Sequence, residues 1–228
     1  MWLGAKQYVM RVTVNSVQIM LTVVPVVDNV RDLGVVLDSH LTMSAQVSSV
    51  CRSAFCQLRQ LRPVVRSLTT DAAKMVIQAF VSLRLDYCNL LFYGISDHLI
   101  RRLQVVQNTA ARLVTGTWRR LVTGTWRRDH ISPVLRQLHW LPVHQHIKFK
   151  LAVLVYKSLY GLPPQYLVED CELVAAAELV VPRTNTRLCD RAFCGCWTTV
   201  VEQPSVQPTT VRPYLLQFRR ALKTYLFG

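Results

Sequence analysis

A chain of 228 residues that is 51% apolar and 18% charged has the composition of a globular protein with a core, which excludes disordered and collagen-like classes. The 27 Lys and Arg against 13 Asp and Glu leave a formal net charge of +14. Such a self-repelling excess points to a polyanionic partner, nucleic acid first and an acidic membrane surface second. No secretory signal and no uninterrupted membrane-length apolar run is visible, and without them the seven cysteines read as reduced thiols of the cytosol or nucleus.

Residues 8–38 read as β structure. Val12 and Val14, then Val17 and Ile19 beyond an Asn15-Ser16 turn, alternate as in a hairpin. The β-branched runs Val23–Val27 and Leu33–Leu37 add two strands, together too few to form a domain. From Ser44 the period becomes helical. Ser44 is placed as the cap of a helix with Val47, Cys51, Ala54, Phe55, Leu58 and Leu61 inward, ending before Pro63. Thr70 caps a second, with Asp71 in its first turn and Met75, Ile77, Phe80 and Val81 facing the core.

A turn over 94–97 precedes a third helix starting at Asp97. Its inner stripe is Leu99, Leu103, Val106, Ala110 and Leu113, and its other side shows Arg101, Gln104, Asn108 and Arg112. Ser132 and Pro133 open a short helix to His139. Pro142 stands near the start of a longer one carrying Ile147, Leu151, Leu154, Val155 and Leu159 inward, and Gly161-Leu-Pro-Pro164 ends it. Residues 165–211 have no clear period. A last helix over 213–226 groups Leu215, Phe218, Leu222 and Leu226, with Arg219, Arg220 and Lys223 outward. The octapeptide Leu113-Val-Thr-Gly-Thr-Trp-Arg-Arg120 recurs unchanged at 121–128, too short for a solenoid repeat.

Catalytic constellations are scarce. The acids include no Asp-Asp pair, and Glu169, Asp170 and Glu172 fall in a loop-like stretch, as a two-metal site would not. His139, His144 and His146 are interrupted by Pro142 and lack a cysteine at zinc spacing. Cys189, Cys194 and Cys196 match no closed zinc pattern, and Cys51 and Cys88 read as thiols on apolar helix faces. Charge is the stronger signal: residues 52–150 hold 16 Lys and Arg against 4 Asp and Glu. Arg101, Arg102, Arg112, Arg119, Arg120, Arg127, Arg128, Lys148 and Lys150 are interleaved with Trp118, Trp126 and Trp140. Cations reach phosphates and indoles stack on bases, so these nine are the candidate nucleic-acid-binding residues.

The same stretches carry a resemblance. Val30-Arg-Asp-Leu-Gly-Val-Val-Leu-Asp38, Arg84-Leu-Asp-Tyr-Cys-Asn89, Leu103-Gln-Val-Val-Gln-Asn108 with Ala110-Ala-Arg112, and Asp129-His-Ile-Ser-Pro-Val-Leu135 through Leu138-His-Trp-Leu-Pro142 follow in order. Tyr156-Lys-Ser-Leu159, Val181-Pro-Arg183 and Phe218-Arg-Arg-Ala-Leu-Lys223 complete the series. Over nearly the whole chain this resembles the C-terminal part of LINE-type (non-LTR) retrotransposon reverse transcriptases, and Trp2-Leu-Gly4 looks like the tail of the polymerase palm.

The resemblance implies a mainly α fold. A palm-edge β segment would span 1–40, a helical thumb-like region 41–165, and an irregular C-terminal region 166–228 would end in a helix. It implies RNA template and DNA primer as sequence-independent partners, in cytoplasm and nucleus, with no membrane. The family's Tyr/Phe-x-Asp-Asp block has no counterpart, so no catalytic residue, metal or cofactor is carried over and the chain is not expected to be an enzyme by itself. Two other readings stay open: the C-terminal piece of a longer active reverse transcriptase, and a helical interaction protein that does not bind nucleic acid. Cys194–Thr210 departs from the family's Pro-x-x-Trp-Asn-x-Leu-Pro block, as a reading-frame shift near Phe193 restored before Tyr214 would produce. Residues 113–128 and 170–212 are accordingly expected to pack poorly.

Overall fold

A computed structural model describes residues 1–2, 11–116, 131–159 and 215–227; these are mainly helical, and the β structure among them lies near the start of the chain. Strand β1 (Ser16–Ile19) pairs antiparallel with β2 (Thr22–Pro25), Val17 opposite Val24. The chain reverses at Met20-Leu21, not at Asn15-Ser16. Asn15 instead extends the ladder, its carbonyl accepting from Val26 N–H at 2.8 Å. Strands β3 (Asn29–Asp32) and β4 (Val35–Asp38) form a second hairpin, so the region is two separate ribbons rather than one sheet. Its turn residues Leu33 and Gly34 both have positive φ, 45° and 84°, the hand that matches strand twist in a two-residue hairpin. Among the strand residues Val35 is the buried one, and it joins β4 to the helical core.

Helix α1 (Ser44–Val65) begins at Ser44 itself, so Met43 and not Ser44 is its cap residue; no side chain caps it, and a remote carboxylate instead braces the turn before it. Asp38 accepts from Thr42 N–H and Met43 N–H, each at 2.9 Å. Burial works against the charge on Asp38, yet these bonds outweigh it and hold its pKa below the ordinary value. Gln46 then ties the helix to β4 by accepting from Val36 N–H at 2.9 Å. Val47, Cys51, Ala54 and Leu58 are buried as the periodicity predicts, but Phe55 is exposed. The helix also continues past Pro63. Proline removes one late backbone bond there, while the extra turn carries Val65 into the core.

Thr69, not Thr70, caps α2 (Thr70–Ile77), its hydroxyl accepting from Ala72 N–H at 3.3 Å. A π-helical turn over Gln78–Ser82 leads into α3 (Leu83–Asp86), followed by a 3-10 turn over Asn89–Phe92. The buried row is Ala73, Ile77, Val81 and Leu85, whereas Met75 and Phe80, expected inward, are 67% and 48% exposed. A strict four-residue spacing drifts by about 120° over three steps of a regular α-helix. The wider π turn takes up part of that drift, and the row stays on one face.

Helix α4 (Asp97–Val114) buries Leu99, Leu103, Val106, Ala110 and Leu113, the predicted stripe. Gly116, with φ 68°, follows its end, so the first octapeptide copy supplies a terminator. Residues 117–128, 165–212 and the nearby cysteines from Cys171 to Cys196 lie outside the described residues. Helix α5 (Ser132–Leu138) closes on His139 in the left-handed region, and α6 (Val143–Leu159) follows after Pro142.

Helix α7 (Leu215–Phe227) packs on α6. One apolar cluster runs from Val35 through α1, α2 and α4 to Ile147; a second joins Leu151, Ala152, Val153 and Tyr156 to Phe218 and Leu222. Tyr156 and Phe218 stack with centroids 4.2 Å apart. No helix among the described residues is long and apolar enough to cross a membrane.

Candidate functional site

The five predicted basic residues that fall within the described residues do not share one face. Arg101 and Arg102 are exposed side by side on α4. Arg112 lies on Arg101's side of that helix, roughly 16 Å further along, and is half-buried. Arg102 also acts inward: burial raises the pKa of the Cys51 thiol on α1, and the Arg102 charge partly opposes that rise. Helix α6 divides the other pair, since residues two apart lie nearly opposite each other. Lys148 stands beside His144, whose pKa is lowered by burial and then by Lys148, against the pull of Asp97. Lys150 turns toward α3, its Nζ donating to the Asp86 carbonyl at 3.0 Å and lying 3.9 Å from Asp86 Oδ1. Arg119, Arg120, Arg127 and Arg128 lie outside the described residues, as do Trp118 and Trp126.

The structure assembles a different site, a cleft of about 410 Å³ bounded by the π turn and α3, the α5–α6 junction and α7. Four segments distant in sequence line it: Asp86 and Asn89, Gln107, His139-Trp140-Leu141, and Arg219 with Lys223. Each belongs to one of the family-like blocks. Bonds between blocks hold the walls. Gln107 Nε2 donates to the Leu141 carbonyl at 2.8 Å, and Val143 N–H donates to Gln104 Oε1 at 2.9 Å. Gln104 Nε2 in turn donates to Gln107 Oε1 and Asn108 Oδ1, both at 2.8 Å. Tyr87, beside Asp86, donates its hydroxyl to the Leu33 carbonyl in the β3–β4 turn. The polar side of α4 that carries Gln104 and Asn108 is thus partly an internal bracket.

Charge inside the cleft is mixed but predominantly positive. His146 Nδ1 lies 3.3 Å from Asp86 Oδ1. Burial lowers the His146 pKa, and Lys150 and Lys223 reinforce this, so the opposing attraction of Asp86 is outweighed. No three His, Cys, Asp or Glu side chains among the described residues gather as metal ligands. Cys88, read as a buried helical thiol, is instead exposed in a turn with φ 50°.

Sequence reasoning placed Arg219 and Lys223 outward, and Arg219 is exposed, but it did not set the pair beside a cleft, and it gave Asn89 and Asp86 no role. The usable signal was four-residue spacing: His146 with Lys150 and Arg219 with Lys223 each put two polar groups on one side of a helix. What spacing could not supply was that both helices look into the same cleft. No protein-family model, no curated protein and no solved structure matches the chain.

Proposed function

We propose that this chain is a catalytically incomplete fragment of a LINE-type retrotransposon reverse transcriptase, its helical body a thumb-like region that holds the template–primer duplex without sequence preference. The observation that carries the reading is the ordered series of family-like blocks from Val30 to Lys223. The charge of +14 supports it, as does the exposure of Arg101 and Arg102 together on α4. The chain's part is electrostatic grip: cations replace the counterions of the duplex, and no residue is assigned a chemical step. Its setting in this reading is the cytoplasm and nucleus.

Binding of the full chain to an RNA–DNA hybrid across a salt series tests the proposal. Affinity is expected to fall steeply with salt and to be indifferent to sequence. The R101E/R102E double variant should bind more weakly, with the salt slope reduced by about 2. Absent or salt-insensitive binding would overturn the reading and favour a helical interaction protein. An in-frame Asp-Asp block encoded upstream of Met1 would favour a piece of a longer active enzyme.

A further inference from the structure

We propose that the cleft beneath α7 is a pocket for a nucleoside monophosphate unit, free or at the end of a strand. Arg219 and Lys223 would take the phosphate, and Trp140 and the Asn89 amide the base. This goes beyond grip on a duplex backbone, because it assigns a discrete cleft to one nucleotide.

Volume comes first. About 410 Å³ is open, within the range of roughly 300–1,000 Å³ typical of small-molecule sites. Its lining divides chemically, with Trp140, Leu141 and Phe149 supplying apolar wall and α7 supplying cations. Arg219 and Lys223 are one turn apart on α7, with Cβ atoms about 5–6 Å apart as for any such helical pair, close enough to converge on one phosphate. Neither makes an ion pair among the described residues, and the ring of Phe227, 5.8 Å from Lys223 Nζ, leaves its donors unused. Asp86, the one carboxylate in the lining, already faces His146 and Lys150.

Asn89 is the second, independent observation. It is only 4% exposed, and it lines the cleft. A polar side chain held at the wall of a cleft can hydrogen-bond to whatever occupies it, water or a ligand. An asparagine amide matches the N6 and N7 edge of adenine with two hydrogen bonds. The backbone departs from regular geometry around the same cleft: the π turn at Gln78–Ser82, and left-handed φ at Cys88 (50°) and His139 (57°). Irregularities of this kind cluster at binding sites.

The test uses the full chain, isotope-labelled, titrated with AMP, adenosine, inorganic phosphate, and an octanucleotide with and without a 5′-phosphate. AMP should move the Asn89 side-chain amide and Trp140 indole resonances, and bind at least tenfold more tightly than adenosine or phosphate alone. R219E/K223E should lose at least tenfold in AMP affinity, with R219K/K223R retaining most of it. Tighter binding of the 5′-phosphorylated strand than of AMP would assign the pocket to a strand end, and the reverse to a free nucleotide; either supports the pocket. Unmoved Asn89 and Trp140 signals, or phosphate binding as tightly as AMP, would overturn the proposal even if RNA–DNA hybrid still bound. AMP binding without hybrid binding would keep the pocket and remove the duplex-grip reading.

Discussion

His146 feels four influences at once: burial, the Asp86 carboxylate, Lys150 on its own helix and Lys223 across the cleft on α7. Their balance puts its folded pKa below the ordinary 6.5. The unfolded chain therefore takes up this proton first as pH falls, and the linked stability declines on acidification. Above about pH 6.5 the contribution is complete; below it, stability is lost down through the lower folded pKa. Urea unfolding followed between pH 8 and pH 5 should show a falling midpoint below about 6.5. The H146Q variant should flatten that decline, leaving a smaller slope from His144, which is shifted the same way. An H146Q profile superimposable on the parent's would mean that His146 is not the titrating group.

At the scale of elements, the joint between α4 and α6 is made by side chains and not by a regular ladder. Gln107 is 8% exposed and its amide satisfies the Leu141 carbonyl just before α6 starts. Gln107→Leu keeps the volume but strands that carbonyl and leaves the Gln104 amide only its bond to Asn108, at an expected cost of about 1–3 kcal/mol. Chemical denaturation of Q107L measures it, and an unchanged midpoint would show that water replaces the bond freely.

This joint also shows where sequence reading reached its limit. The α4 stripe from Leu99 to Leu113 was legible because burial on one face leaves a periodic trace. The bracket on its opposite side was not, since a glutamine bonded to a remote carbonyl and one bonded to solvent leave the same pattern. Met75 and Phe80 were misplaced for a different reason: a π turn alters the period in mid-helix without an obvious marker residue. Of the candidate site, the cations were legible as residues, but their meeting with Asn89 and Trp140 depends on segments 79 to 134 residues apart.

The molecule as a whole rests on two apolar clusters of unequal construction. The larger is drawn from residues between Val35 and Ile147, the smaller from α6 and the distant α7. Removing the Phe218 ring deletes the stack on Tyr156 and opens the smaller cluster. Phe218→Ala should cost about 3–5 kcal/mol, measured by urea unfolding, and should loosen α7, with Arg219 and Lys223 withdrawn from the cleft. Amide exchange in α7 should accelerate more than in α4; equal acceleration in both would indicate that the two clusters unfold as one unit.

The late position of α7 has a consequence for how the chain is made. Helix α6 ends at Leu159 and α7 begins at Leu215, so at about 5–20 residues per second the ribosome needs roughly 3–11 s to supply the missing partner. During that interval Leu151, Ala152, Val153 and Tyr156 have no Phe218 or Leu222 to cover them, an apolar face open to chaperones or to another nascent chain. The same delay makes the cleft the last feature to be completed, so a ribosome stalled before Leu215 releases the larger cluster without it.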